Sequence, residues 1–163
     1  MITLGVDPGT ATMGFGVVHG DGDPKLLEHG VVKTRSTEPM PERLLQLFNG
    51  LNQVIVDHAP DVMAVEQLFF ARNVTNALAV GQARGVVLLA GAQHGIPVFE
   101  YKPSEVKLAV AGHGAADKQQ VQSMVQLILS LDAIPHPDDA ADALAVAICH
   151  VYSSRLGRIA SRQ

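Results

Sequence analysis

Polar and apolar positions alternate, or apolar residues gather in short runs, through the first stretch of the chain. Ile2–Asp7, Gly14–His19 and Leu26–Lys33 each read as a strand, separated by the turn signals Pro8-Gly9-Thr10 and Asp21-Gly22-Asp23-Pro24. Three strands on short turns predict an antiparallel meander. The period then changes. Pro41 opens a helix whose apolar face is Leu44, Leu45, Leu47, Phe48, Leu51, Val54 and Ile55. Val62–Glu66 reads as a short buried strand, Val74–His94 as a long helix and Pro97–Tyr101 as a last strand. Helical patterns follow over Ser104–Ala111 and Asp117–Leu131; Pro135-His136-Pro137 breaks the chain, and a final helix runs from Asp138 to about Ser154. This order predicts an α/β fold, a mixed five-stranded sheet made of an antiparallel meander plus parallel strands and flanked by helices. Residues 1–154 form one domain, and the polar, basic tail 155–163 is expected to fray.

At 163 residues, 47% of them apolar, the chain is long enough to bury a real core and too apolar to be disordered over most of its length. No apolar run is long enough to span a bilayer, and the start lacks the regions of a signal peptide. Cys149 is the single cysteine; it lies in an apolar helical pattern and reads as inert core in a reducing, cytoplasmic protein. The net charge of −4 argues mildly against nucleic acid, but the distribution of charge argues the other way. Residues 1–66 hold four Lys/Arg against nine Asp/Glu, whereas residues 67–163 hold eight against seven. Three of those seven are Asp138, Asp139 and Asp142, so the second half can present a positive face once metal masks them.

The candidate chemistry lies in carboxylates. Asp7 and Glu66 each close a buried strand, where ligands to such sheets gather. A lone Asp after a strand is more often a turn residue; a Glu ending an apolar strand gains nothing from sheet packing and is more telling. Asp138 and Asp139, in a first helical turn, also suit the helix dipole and free N–H groups. Asp142 escapes that reading. It lies one turn deeper among Ala140, Ala141, Ala143, Leu144 and Ala145, and no Lys or Arg stands three or four residues away to pair it. Packed acids repel and lose hydration, so the cluster calls for cations. Magnesium, a hard oxygen-seeking ion, is the expected cofactor, two per site, with manganese able to replace it. Asp7 would bridge the pair, Glu66 hold one ion, and Asp139 with Asp142 the other.

Four blocks together carry a resemblance: Leu4-Gly5-Val6-Asp7-Pro8-Gly9-Thr10, Glu66-Gln67-Leu68-Phe69, Gly81-Gln82-Ala83-Arg84-Gly85 and Asp139-Ala140-Ala141-Asp142-Ala143-Leu144-Ala145. In residues and spacing, over Ile2 to about Val151, the chain resembles the bacterial RuvC family of Holliday-junction resolvases. The resemblance implies an RNase H-like fold, a homodimer, and magnesium-dependent cutting of two like-polarity strands of a four-way DNA junction in recombination and repair. It implies a branch-migration motor as partner, and catalytic, metal-holding roles for Asp7, Glu66, Asp139 and Asp142. Asp138 beside Asp139 departs from the pattern; it is expected to cap the helix and to substitute partly if Asp139 is lost.

The resemblance also suggests DNA contacts. Phe69 is similar to the family's base-stacking aromatic, whereas Phe70 reads as core; Lys107 and Lys118 match basic positions that touch phosphates, against the simpler reading of solvated lysines. Arg72 is a weaker DNA-binding candidate, as are Lys102 and Arg84. Gly112-His113-Gly114 lacks P-loop spacing and reads as a hinge before Lys118; His113 and His136 read as exposed loop residues. The long helix is rich in small residues, among them Ala77, Gly81 and Gly85. Glycine inside a helix costs about 1 kcal/mol relative to alanine, so close packing must offset it, either on the chain's own sheet or on a two-fold partner. Three other readings compete. Asp7-Pro8-Gly9-Thr10 resembles the first phosphate loop of actin-like ATPases and sugar kinases, but one short chain without a repeat lacks their second lobe. An RNA nuclease of the same fold and a junction-binding module without catalysis are the others.

Overall fold

The computed structural model of the chain describes residues 1–67 and 74–160. Five strands, β1 (Ile2–Asp7), β2 (Thr12–His19), β3 (Lys25–Lys33), β4 (Val62–Glu66) and β5 (Val98–Tyr101), form one sheet in the order β3-β2-β1-β4-β5. β1, β2 and β3 pair antiparallel; β4 pairs parallel with β1, and β5 with β4. The mixed sheet expected from the alternation is therefore present. The helices are α1 (Met40–His58), α2 (Val74–Gln93), α3 (Pro103–Ala111), α4 (Lys118–Ile128) and α5 (Asp138–Ala160). α5 runs past Ser154, beyond the end read from the sequence. No helix among the described residues is long and apolar enough to cross a membrane.

Side-chain alternation splits the sheet cleanly between two cores. Leu4, Val6, Met13, Phe15, Val17, Met63 and Val65 face α1 and α2, where Leu47, Leu51, Val54, Ile55, Ala83, Val87 and Ala90 meet them. The opposite face carries Gly5, Gly14, Gly16, Val18 and Ala64, and α5 lies on it. α5 is apolar all round because it is covered twice, by the sheet beneath and by α3 and α4 above through Val106, Val110, Val121 and Val125. Ala140, Ala141, Ala143–Ala147, Ile148 and Cys149 are all buried there. Burial pushes the Cys149 thiol up to about 11, consistent with an inert core cysteine.

The contact between α5 and the sheet depends on glycine. Gly5 pairs with Gly16 and Asp7 with Gly14 across the β1–β2 ladder. A Cβ on Gly5 would lie 2.0 Å from the Ala143 carbonyl oxygen, and one on Gly14 would lie 1.9 Å from the Asp139 carbonyl oxygen. Neither oxygen belongs to a side chain that can swing away, so the helix itself would have to lift. Gly5→Ala and Gly14→Ala should each destabilise the protein by about 1–3 kcal/mol. Chemical denaturation checks this; a wild-type midpoint in both variants would disprove the seam's tightness.

Candidate active site

Asp7 ends β1 and Glu66 ends β4. The two strands run parallel with Val6 opposite Val65, so both carboxylates leave the same end of adjacent strands. Period-2 alternation puts Asp7 on the face of Gly5, beneath α5, and Glu66 on the face of Ala64. Gly14, opposite Asp7, touches the Asp139 backbone, and Asp142 follows one helical turn later. The four acids that the sequence singled out thus reach one neighbourhood from β1, β4 and α5. A cleft of about 190 Å³ opens there, lined by Glu66, Lys107, Lys118 and Asp142 with Val106, Val121 and Ala145.

The electrostatics measure how crowded it is. Burial, then the charges of Asp142, Glu66 and Asp139, push the Asp7 carboxyl from 3.8 up to about 7, against a smaller opposing pull from Lys118. Glu66 is raised by burial and by Asp142, with Lys107 and Lys118 opposing. Asp142 is raised by burial first, with Lys118 again opposing. Asp138, whose carboxyl is held low by hydrogen bonds from Lys118 and Gln122, adds to the charge that raises Asp142.

The cation that α5 does not offer Asp142 comes from another helix. Lys118, the first residue of α4, sets Nζ 3.1 Å from an Asp142 oxygen and 3.1 Å from an Asp138 oxygen. The chain brings Lys118 there by ending α3 at Gly112, whose φ of 81° suits glycine, and by capping α4 with Asp117, which accepts from the Gln120 N–H at 2.8 Å. Asp138 is engaged by Lys118 and by Gln122. Both this pairing and the glycine seam went unrecognised in the sequence. Glycines alternating through a strand signal close backbone approach and could have revealed the seam.

Arg84 pairs with Glu100 on the far face of the sheet, and the Lys102 N–H donates to the Glu105 carboxylate at 2.7 Å. His113 and His136 are exposed between helices. Phe69, Phe70 and Arg72 lie outside the described residues.

Four oxygen-donor carboxylates, three of them raised by burial and by neighbouring acids, suit hard divalent cations. Among the described residues, no three His, Cys, Asp or Glu side chains stand as a ready-made metal cage. The acids are within electrostatic range of one another but not drawn into a closed shell, and the cations beside them are Lys118 and Lys107.

Comparison with known proteins agrees with this geometry. Residues 3–150 match the family profile described as "Crossover junction endodeoxyribonuclease RuvC". A protein of that name from Chloroflexus aggregans is 61% identical over 155 residues, covering 94% of either chain. The structure titled "T. thermophilus RuvC in complex with Holliday junction substrate" superposes with a TM-score of 0.92 at 42% identity, covering 96% of each chain. The yeast mitochondrial Holliday junction resolvase Ydc2 shares the fold at a TM-score of 0.66 and 16% identity, covering 96% of this chain and 82% of its own. The chain belongs to the RuvC family.

The raised Asp7 carboxyl has a measurable consequence without metal. It holds its proton more tightly folded, at about 7, than unfolded, near 3.8, so this contribution to stability is complete below pH 4 and disappears as pH rises through 7. In chelator at pH 8, Asp7→Asn should therefore be more stable than wild type, by on the order of 2–4 kcal/mol, with the gain vanishing toward pH 4. Thermal unfolding across that range checks it; a gain that is flat with pH would refute the crowding.

Proposed function

We infer that this chain works as a crossover junction endodeoxyribonuclease, hydrolysing phosphodiesters in four-way (Holliday) DNA junctions during recombination and repair. Membership of the family carries the class of activity. The observation that carries the local mechanism is the meeting of Asp7 and Glu66, at adjacent strand ends, with Asp139 and Asp142 at the head of α5. No strong side-chain nucleophile accompanies them, which favours hydrolysis by water over a covalent enzyme intermediate. The family's metal dependence fits the donor set, and two magnesium ions, replaceable by manganese, are the reading best suited to it. Asp7, Glu66, Asp139 and Asp142 would hold them. When bound, such ions neutralise the acids, acidify water for attack on phosphorus and stabilise the leaving oxygen.

The residues around the acids supply the rest. Lys107 and Lys118 line the same cleft as Glu66 and Asp142, on the side open to solvent, where they can hold the phosphates flanking the scissile bond. Each such contact should contribute about one unit to the salt dependence of binding. Phe69 and Arg72 follow Glu66 closely in sequence and are assigned to a base at the crossover and to backbone phosphate.

A homodimer suits a two-fold junction. Among the described residues, and leaving aside the helix's own adjacent backbone, nothing lies within 4 Å of a Cβ built on Gly81 or Gly85, whereas one on Gly91 meets Val98 and Met63; this favours a partner other than the sheet for the first two. Leu78 and Leu89, at 67% and 59% exposed, lie along the helix with Gly85, and Ala77 is half-buried beside them. This stripe is the proposed dimer face. The working compartment is the cytoplasm, and a branch-migration motor is the expected partner.

The decisive assay offers a synthetic four-way junction and a linear duplex with Mg²⁺, Mn²⁺ or chelator. Paired symmetric nicks confined to the junction and dependent on metal are expected. Asp7→Asn, Glu66→Gln, Asp139→Asn and Asp142→Asn should each lose at least about 100-fold in rate with junction binding retained. Cleavage of structured RNA with junctions spared, or undiminished nicking by Asp7→Asn, would overturn the assignment. Gly85→Arg should sediment as a monomer and lose paired cutting; a stable dimer would remove α2 from the interface.

A further inference from the structure

We propose that Lys118 is the resident counter-ion of the active site, which entering metal displaces from Asp142 and which Asp138 then retains at the rim of the cleft. The inference rests on the metal-dependent reading of the acids and assigns Lys118 and Asp138 a role before DNA arrives. Lys118 Nζ is shared between two carboxylates at equal distance, 3.1 Å from each. The two are not equivalent. Asp142 lines the cleft with Glu66 and its side chain is 34% exposed; Asp138 is 56% exposed and stands outside that lining. Gln122, one turn along α4 from Lys118, donates to Asp138 at 3.1 Å and fixes it beside the ammonium. Asp138 is thus a second acceptor already in place, outside the pocket a metal would fill.

Magnitudes favour exchange. The Lys118 side chain is 54% exposed, so its pair with Asp142 is a partly solvated one of modest strength. A divalent ion offers twice the charge to several of the acids at once. An ammonium and a divalent cation also repel within one small cleft, so the two occupy Asp142 in turn rather than together. Without a second acceptor the displaced ammonium would be left near the metal unpaired. Asp138 prevents that and holds the charge where the next ligand, a phosphate, would approach. The fifth acid, unexplained as a metal ligand, thereby acquires a purpose as an acceptor for the lysine.

Two calorimetric results test this, with Mn²⁺ titrated into full-length protein without DNA. Lys118→Met should bind the ion about three- to tenfold more tightly than wild type, since no ammonium competes. Asp138→Asn should weaken binding, and more so with Lys118 present than in the Lys118→Met background, because only then is an ammonium stranded; this non-additivity separates retention from simple loss of a negative charge. As a check on folding, Lys118→Arg keeps the charge and should bind as wild type does. Metal should also speed acylation of the Lys118 amine, read by mass spectrometry. Equal or weaker binding by Lys118→Met would overturn the competition, and additivity in the cycle would overturn the role of Asp138. No binding by any variant would instead defeat the metal-dependent reading itself.

Discussion

The arrangement depends on one close contact, the seating of an alanine-rich helix on a glycine-lined sheet. Side chains normally hold a helix well above a sheet. Here Gly5, Gly14 and Gly16 remove them from the β1–β2 pair, and Ala140, Ala143 and Ala147 remove them from α5. The Asp139 carbonyl oxygen comes to rest where the Gly14 side chain would be, directly over the partner of Asp7. Apolar burial on both sides of α5 drives the contact, and glycine sets its distance. The acids are brought together as a consequence; a methyl group at either position would separate them.

What the seam brings together, electrostatics resists. Burial and three like charges raise Asp7 to about 7, so without metal that carboxyl is favoured in its protonated form through mildly acidic pH. A structural role would not retain such a group, since an amide or an apolar residue fits the same space at lower cost. The protein moderates the repulsion without removing it. Lys118 and Lys107 stand on the solvent side and lower the charge that Glu66 and Asp142 feel. The Lys118 side chain is 54% exposed, so its hold on the acids is a partly solvated one.

Much of this was legible from residue order. β1 and β4 begin and end where the alternation predicted, at Ile2–Asp7 and Val62–Glu66, because each is a buried run terminated by an acid with no place in a core. The four acids were identifiable because Asp142 violates the apolar character of its helix. Legibility failed where information is tertiary. β2 starts at Thr12, ahead of the expected Gly14, since glycine weakens a strand signal although the ladder continues through it. The partner of Asp142 sits on another helix, so a search three or four residues away could not find it. α5 continues past Ser154 to Ala160, a stretch in which Arg155, Leu156 and Arg158 are competent helix formers. The open stripe at Gly81 and Gly85 was ambiguous in sequence, because two packing partners predict the same small residues.

Anomalous diffraction from crystals soaked in manganese tests the central proposition most directly: that acids delivered by two strand ends and one helix share a pocket made tolerable by divalent cations. The account predicts ion density against Asp7, flanked by Glu66 on one side and by Asp139 and Asp142 on the other, with the Lys118 ammonium withdrawn from Asp142. Carboxylates splayed apart with no ion among them, and Lys118 still seated on Asp142, would contradict it.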